Sequence, residues 1–210
     1  MPKATEKDLD TLFKFLNADI GSMDGDSLRD LIHELAIFYS VEGIHPKLLE
    51  FTKHYERLAG KVGFESSPEA VKDRKKFLTD LQAHARSRVD EIIAIAEGQK
   101  SGVLLEMMGT VGVVIQNDRF REEVKSDLNV TDPLEEEKLR FDTRLVDLLQ
   151  HLDLRPSRFR RCVRCGNYFY QESKKERLYC SIRCSAAVRQ GKYLARRRRK
   201  EGEKGKRRKK

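Results

Sequence analysis

The sequence predicts a mainly α fold with a small β-hairpin, built as a helical N-terminal domain, a compact cysteine module and a basic tail. Three observations predict it. Apolar residues recur at helical spacing through most of residues 1–153. One β-branched stretch near 102–124 breaks that period. All four cysteines of the chain fall within 23 residues, Cys162 to Cys184.

The elements follow in order. Thr5 is placed to cap a first helix running through about Asn17. A second helix is expected from about Asp26 to Ser40, with Leu28, Leu31, Ile32, Leu35 and Phe38 on one stripe. A third is expected over about Pro46 to Leu58. Ser67-Pro68 then supplies an N-cap and a proline at the first helical position. Val71, Leu78, Leu81, Ala85, Ile92 and Ala96 carry that helix to about Gln99. Val111, Val113, Val114 and Ile115 favour strand, Asn117-Asp118 can turn the chain, and Phe120 and Val124 can continue it, so a hairpin is expected within 102–124. Asp132-Pro133, with Glu135 at capping-box spacing, opens a last helix whose apolar face is Leu134, Phe141, Leu145, Leu148, Leu149 and Leu152. Arg155-Pro156 marks the boundary, because a residue before proline avoids the helical region. Residues 196–210 are low in complexity and are expected to be disordered in isolation.

Charge divides the chain the same way. The whole carries a net +9, yet Arg155 to Lys210 hold 22 Lys+Arg against 4 Asp+Glu, while residues 1–154 hold 21 against 30. The first part is therefore at −9 and the second at +18, which predicts an acidic globular body and an end that binds polyanions. Met1 to Leu12 lacks the apolar core of a signal peptide, and no stretch approaches 18 apolar residues. A cytoplasmic location with reduced thiols is expected, with association to the nucleoid as its extension, and no membrane partner.

The cysteines form C-x2-C-x14-C-x3-C. Thiolates suit zinc, which takes four ligands in a tetrahedron. A C-x2-C pair places two sulfurs on one side of a tight turn, and Gly166 directly after it can supply a left-handed backbone. Tyr168-Phe169-Tyr170 reads as a strand, and Cys180 and Cys184 fit one turn of a helix start. Knuckle, hairpin and ligand-bearing helix make a treble-clef-like arrangement. A disulfide framework would require an oxidising compartment, and a redox C-x-x-C requires no second pair. The expected cofactor is thus one structural Zn2+ on Cys162, Cys165, Cys180 and Cys184, with no open position for catalysis. Arg160, Arg161, Arg164 and Arg183 are placed to offset the thiolate charge. Phe169 and Tyr179 are expected to pack the finger's core, with Ala186, Ala187 and Leu194 facing it.

Cys162-Val163-Arg164-Cys165-Gly166-x-x-Phe169, followed by Arg177-Leu178-Tyr179-Cys180-Ser181, resembles the CGNR-type zinc finger. That resemblance implies a treble clef at the C-terminus of a bacterial transcription regulator. The family's third cysteine follows an aromatic and precedes a serine, as Tyr179-Cys180-Ser181 does. The departure lies at the fourth ligand: the namesake Cys-Gly-Asn-Arg is Cys184-Ser185-Ala186-Ala187 here, and the final pair is one residue closer. In such proteins a helical domain called ABATE precedes the finger, and Phe15-Leu16-Asn17 is similar to its opening motif. The implied domains are an acidic ABATE-like body over 1–154, a finger over 155–195 and the tail over 196–210.

Arg183, Arg189, Lys192, Arg196 and Arg199 recur mostly at three- and four-residue intervals, so a continuing helix would gather them into a basic stripe. Such a stripe neutralises phosphates and releases counterions, and Tyr168, Tyr170 and Tyr193 are interleaved aromatics able to stack on unpaired bases. The blander alternative is a tail that only aids solubility. The five histidines are dispersed and read as surface or packing residues, and Asp24-Gly25-Asp26 reads as a turn and N-cap, the rest of a calcium loop being missing. No P-loop, GxGxxG or GxSxG occurs. Nucleases on treble clefs need a histidine at the finger, and His151 stands outside it. No enzyme is expected. The expected function is DNA binding by a transcriptional regulator whose N-terminal domain senses an effector or partner. The alternatives are an RNA- or ribosome-associated protein and a protein–protein adaptor.

Overall fold

A computed structural model describes residues 6–39, 68–106, 111–116, 119–124, 132–173 and 177–207. The chain divides into two compact units, Met1–Phe159 and Arg160–Lys210. Helices dominate. The first unit holds α1 (Glu6–Asn17), α2 (Gly25–Tyr39), α3 (Pro68–Ala96), β1 (Val103–Glu106), β2 (Val111–Gln116), β3 (Arg119–Val124) and α4 (Pro133–His151). β4 (Phe159–Arg161) spans the boundary, and β5 (Tyr168–Tyr170) and α5 (Ile182–Arg207) complete the second unit. The helix expected over 46–58, and Thr5 and Ser67 as caps, lie outside the described residues.

The core of the first unit is made largely by the stripes that the helical period marks, although Ile32, Val71, Ala96, Leu134 and Leu152 of those stripes are only partly buried. Leu12, Phe15 and Leu16 of α1, Leu28, Leu31, Leu35 and Phe38 of α2, Leu78, Leu81, Ala85 and Ile92 of α3, and Phe141, Leu145, Leu148 and Leu149 of α4 are all buried. α3 touches α1, α4 and β1, which makes it the central element. Its polar residues do a second task. Gln82 Nε2 donates to the carbonyls of Phe15 (2.6 Å) and Ala18 (3.0 Å), and Arg86 Nε donates to that of Leu16 (2.8 Å). Carbonyls at and just past the C-terminal end of α1 are thus bonded by α3, one of them by a cation at the negative end of the helix.

Local signals set the helix ends. At Asp24 the side chain accepts from the Ser27 amide (2.8 Å), so Asp24-Gly25-Asp26 starts α2 as a turn and cap. α3 closes at Gly98, whose φ of +71° favours glycine. Gln99 N bonds Ala94 O (2.8 Å) and Gly98 N bonds Ile95 O (3.0 Å), the paired bonds of a left-handed helix stop. Asp132 caps α4 by accepting from Leu134 N at 2.7 Å, with Pro133 in the first turn.

The β region has one strand more than expected. It is a three-stranded antiparallel sheet in the order β1-β2-β3, with Leu105 opposite Val113 and Ile115 opposite Phe120. Gln116 pairs with Arg119, while Asn117-Asp118, expected to turn the chain, lie outside the described residues. β1 escaped the sequence reading because four residues, two of them adjacent leucines, carry too little period to separate strand from helix. Its partner settles it: Val103 and Leu105 share a buried face with Val113 and Ile115.

The first unit also buries ionisable side chains that no local pattern announces. Asp142 of α4, 1% exposed, lies 2.8 Å from His84 Nε2 and 3.0 Å from Arg88 Nε, both on α3. Arg144 pairs with Asp8 (3.1 Å) and with Asp147, and its guanidinium lies over the Phe38 ring. His84 is therefore a packing residue, as expected of the histidines, but with a carboxylate partner 58 positions away. Phe159, the last residue of this unit, is fully buried with its ring 5.9 Å from that of Phe13.

In the second unit β4 pairs with β5 and α5 continues to Arg207. Order was expected to end near 195. The helix runs on because Ala, Arg and Lys are strong helix formers, and a helix already nucleated by the cysteine module extends at little cost per residue.

Candidate metal centre and nucleic-acid interface

The knuckle is built first by backbone. Gly166 N donates to Cys162 O and Cys162 N to Asn167 O, both at 2.8 Å, closing a tight turn between β4 and β5. Gly166 has φ of +76°, where a Cβ would be strained. Val163 N donates to Leu178 O (3.1 Å), tying the knuckle to the segment that leads to Cys180. Ser181 then caps α5, its Oγ accepting from Cys184 N at 3.2 Å, so that Cys180 precedes the helix and Cys184 lies in its first turn.

These elements bring together all four sulfurs that the spacing singles out. The Sγ atoms of Cys162, Cys165, Cys180 and Cys184 lie within 4.8 Å of one another. Cys165–Cys180 is 3.6 Å, and Cys180–Cys184 and Cys165–Cys184 are 3.7 Å. Four thiolates at about 2.3 Å from a central ion stand about 3.8 Å apart along the edges of a tetrahedron. The donor set therefore fits a four-coordinate, thiolate-loving ion. Among the described residues this is the one cluster of His, Cys, Asp or Glu that can hold a metal.

Electrostatics push the same way. Burial resists ionisation of Cys162, yet amides of Cys165, Cys180 and Arg164 outweigh it and bring the thiol down to about 6. Burial, with the neighbouring thiols, pushes Cys180 up to about 12. Four crowded thiols cannot all ionise by themselves, and a divalent cation at their centre relieves the conflict. Arg164 Nη1 approaches Cys184 Sγ at 3.9 Å. Of the other arginines expected beside the sulfurs, Arg161 instead donates to Gly166 O (3.1 Å) and covers the Tyr168 ring, and Arg183 is exposed. Phe169 packs with Cys162 and Cys184, and Tyr179 packs against that cluster, as expected. Leu194, expected to face this core, is 44% exposed, and Ala186 is exposed as well. The core is already closed by Phe169 and Tyr179, and α5 outruns it.

Arg189, Lys192 and Arg196 are exposed on α5, and Arg199 lies on the same helix. At 3.6 residues per turn these four fall within about 80° of arc, whereas Arg183 stands about 120° from Arg189. The stripe thus holds four of the five cations assigned to it, and Arg183 sits on another face. Arg189 Nη2 donates to Ser185 Oγ (2.8 Å) one turn back, which fixes its guanidinium against the helix. The three tyrosines separate by burial. Tyr168 is 4% exposed, Tyr170 is half-buried and Tyr193 is 64% exposed. No helix among the described residues is long and apolar enough to cross a membrane. No protein-family model, curated protein or solved structure matches this chain.

Proposed function

We propose that the second unit is a zinc finger of treble-clef type that holds a basic helix against nucleic acid, and that the protein is a DNA-binding regulator. One observation carries the reading: four cysteine sulfurs within 4.8 Å of one another gather where α5 begins at Cys184, and the same helix displays Arg189, Lys192 and Arg196 to solvent. Zinc is the natural ion for four thiolates in reduced surroundings, and it supplies no catalytic position when all four sites are filled. It acts here by folding the module. The helix acts by exchanging condensed counterions for guanidinium and ammonium groups. The order of knuckle, strand pair and ligand-bearing helix supports the CGNR-type resemblance, with the acidic first unit in the place of the ABATE domain. That unit is the candidate for sensing an effector or partner in the cytoplasm.

RNA is the second reading, favoured by the exposed Tyr193, since aromatic stacking serves unpaired bases better than duplex. Titration of the whole protein with duplex DNA and with RNA at several salt concentrations tests both. The proposal expects log affinity to fall linearly with log salt, and Cys180→Ser to abolish zinc and binding together. Salt-insensitive binding, or none to either polymer, contradicts it. A clear preference for one polymer chooses between the two readings.

A further inference from the structure

We infer that Tyr193 is a stacking platform for an unpaired base, so that the favoured ligand of α5 is a single-stranded stretch of DNA or RNA. This rests on the nucleic-acid reading of the same helix and says which form of the polymer it takes.

Three observations support it. The tyrosines near the basic segment are not equivalent: Tyr168 is buried beneath Arg161 and Tyr170 is half-buried, while Tyr193 is 64% exposed. Its neighbours one turn away in either direction are cations, Arg189 at i−4 and Arg196 and Arg197 at i+3 and i+4. Residues so spaced on a helix lie about 5–6 Å apart at Cβ. The ring therefore stands at the edge of the Arg189–Lys192–Arg196 stripe, about 40° round the helix from Arg189. Every described side chain from Arg189 to Arg198 is exposed, so the ring serves no core of its own unit.

The chemistry follows from that placement. Cations flanking an aromatic ring can hold a phosphodiester backbone while one base swings onto the ring face. A paired base in a duplex shows its face to its neighbours in the stack and not to protein, so the ring gains little from duplex. Stacking is tolerant of base identity, because every base has a π-face. The helix would then bind unpaired segments with little sequence preference. Arg189, already held by Ser185, would fix the backbone next to the ring.

The chain contains no tryptophan, which provides a direct reporter. Tyr193→Trp in the full-length protein places one indole at the site, and a stacked base quenches its fluorescence while phosphate contacts alone do not. The probes are an oligothymidylate and an oligouridylate of about 16 nucleotides, and a duplex of equal length. The expected result is strong quenching with either single strand and little with duplex. Tyr193→Ala should weaken single-strand binding by about 5- to 100-fold with an unchanged salt slope, and Tyr193→Phe should restore it. Single-strand affinity within twofold of wild type in Tyr193→Ala, or equal quenching by duplex, overturns the stacking role. Wild-type protein that binds none of the three probes in a salt-dependent way removes the nucleic-acid reading itself, and the stacking role with it.

Discussion

Individual side chains of the first unit carry much of its pH and mutational sensitivity. Glu137 is buried on α4, and burial raises its carboxyl from an ordinary 4.5 to about 7, against the opposing pull of Arg140. Between those values the folded protein binds more protons than the unfolded chain, so this group's contribution is fully present below about 4.5 and is lost as pH rises through 7. Glu137→Gln should flatten that fall and gain about 1–3 kcal/mol near pH 8. Arg140 keeps Glu136 as a partner at 2.5 Å, so the substitution strands no cation. Denaturant unfolding at several pH values checks this. Asp142 is the opposite case. Asp142→Ala leaves Arg88 and His84 facing an empty buried position and should cost about 3–5 kcal/mol. At this scale the sequence was half legible. Four cysteines in one short pattern announced their own meeting, whereas His84 and Asp142 are 58 residues apart and only the packing of α3 on α4 unites them. Arg183 was misplaced for a simpler reason: six residues amount to about 240° beyond a full turn, not to a shared face.

Caps and stops decide where elements begin and end; those at Asp24 and Asp132 were signalled in the sequence, whereas the stop at Gly98 and the cap at Ser181 were not. Asp132-Pro133 starts α4 as its residues imply, and Asp132→Ala should cost about 1 kcal/mol. Ser181 has a larger consequence because it caps the helix that carries Cys184. In a metal-folded module, folding and metal binding share one free energy. Loss of about 1 kcal/mol in Ser181→Ala should therefore weaken zinc affinity about fivefold, measured by competition with a chelating dye. What stayed illegible were elements defined by partners. β1 became a strand through its register with β2, and α5 continued past 195 because the residues before it had already paid for nucleation.

The molecule as a whole joins an acidic, mostly helical unit to a basic unit ordered around four sulfurs. The split of charge at Arg155 was plain in composition, while the split of packing falls at Phe159, because Leu154, Pro156 and Phe159 are buried in the first unit. A fragment ending at residue 159 should therefore be more stable than one ending at 153 by about 3 kcal/mol, roughly the cost of deleting a buried phenylalanine. Thermal unfolding of the two fragments compares them. The central claim is that zinc aligns one basic face of α5 on phosphates. Its most direct test is the salt dependence of duplex DNA binding by a variant with Arg189, Lys192, Arg196 and Arg199 all changed to alanine. Each lost phosphate contact lowers the slope of log affinity against log salt by about 0.9, so the variant should bind with a slope smaller by about three to four and with zinc retained. An unchanged slope with zinc still bound would contradict the account and move the binding face to Arg160, Arg161 and Arg164 at the knuckle.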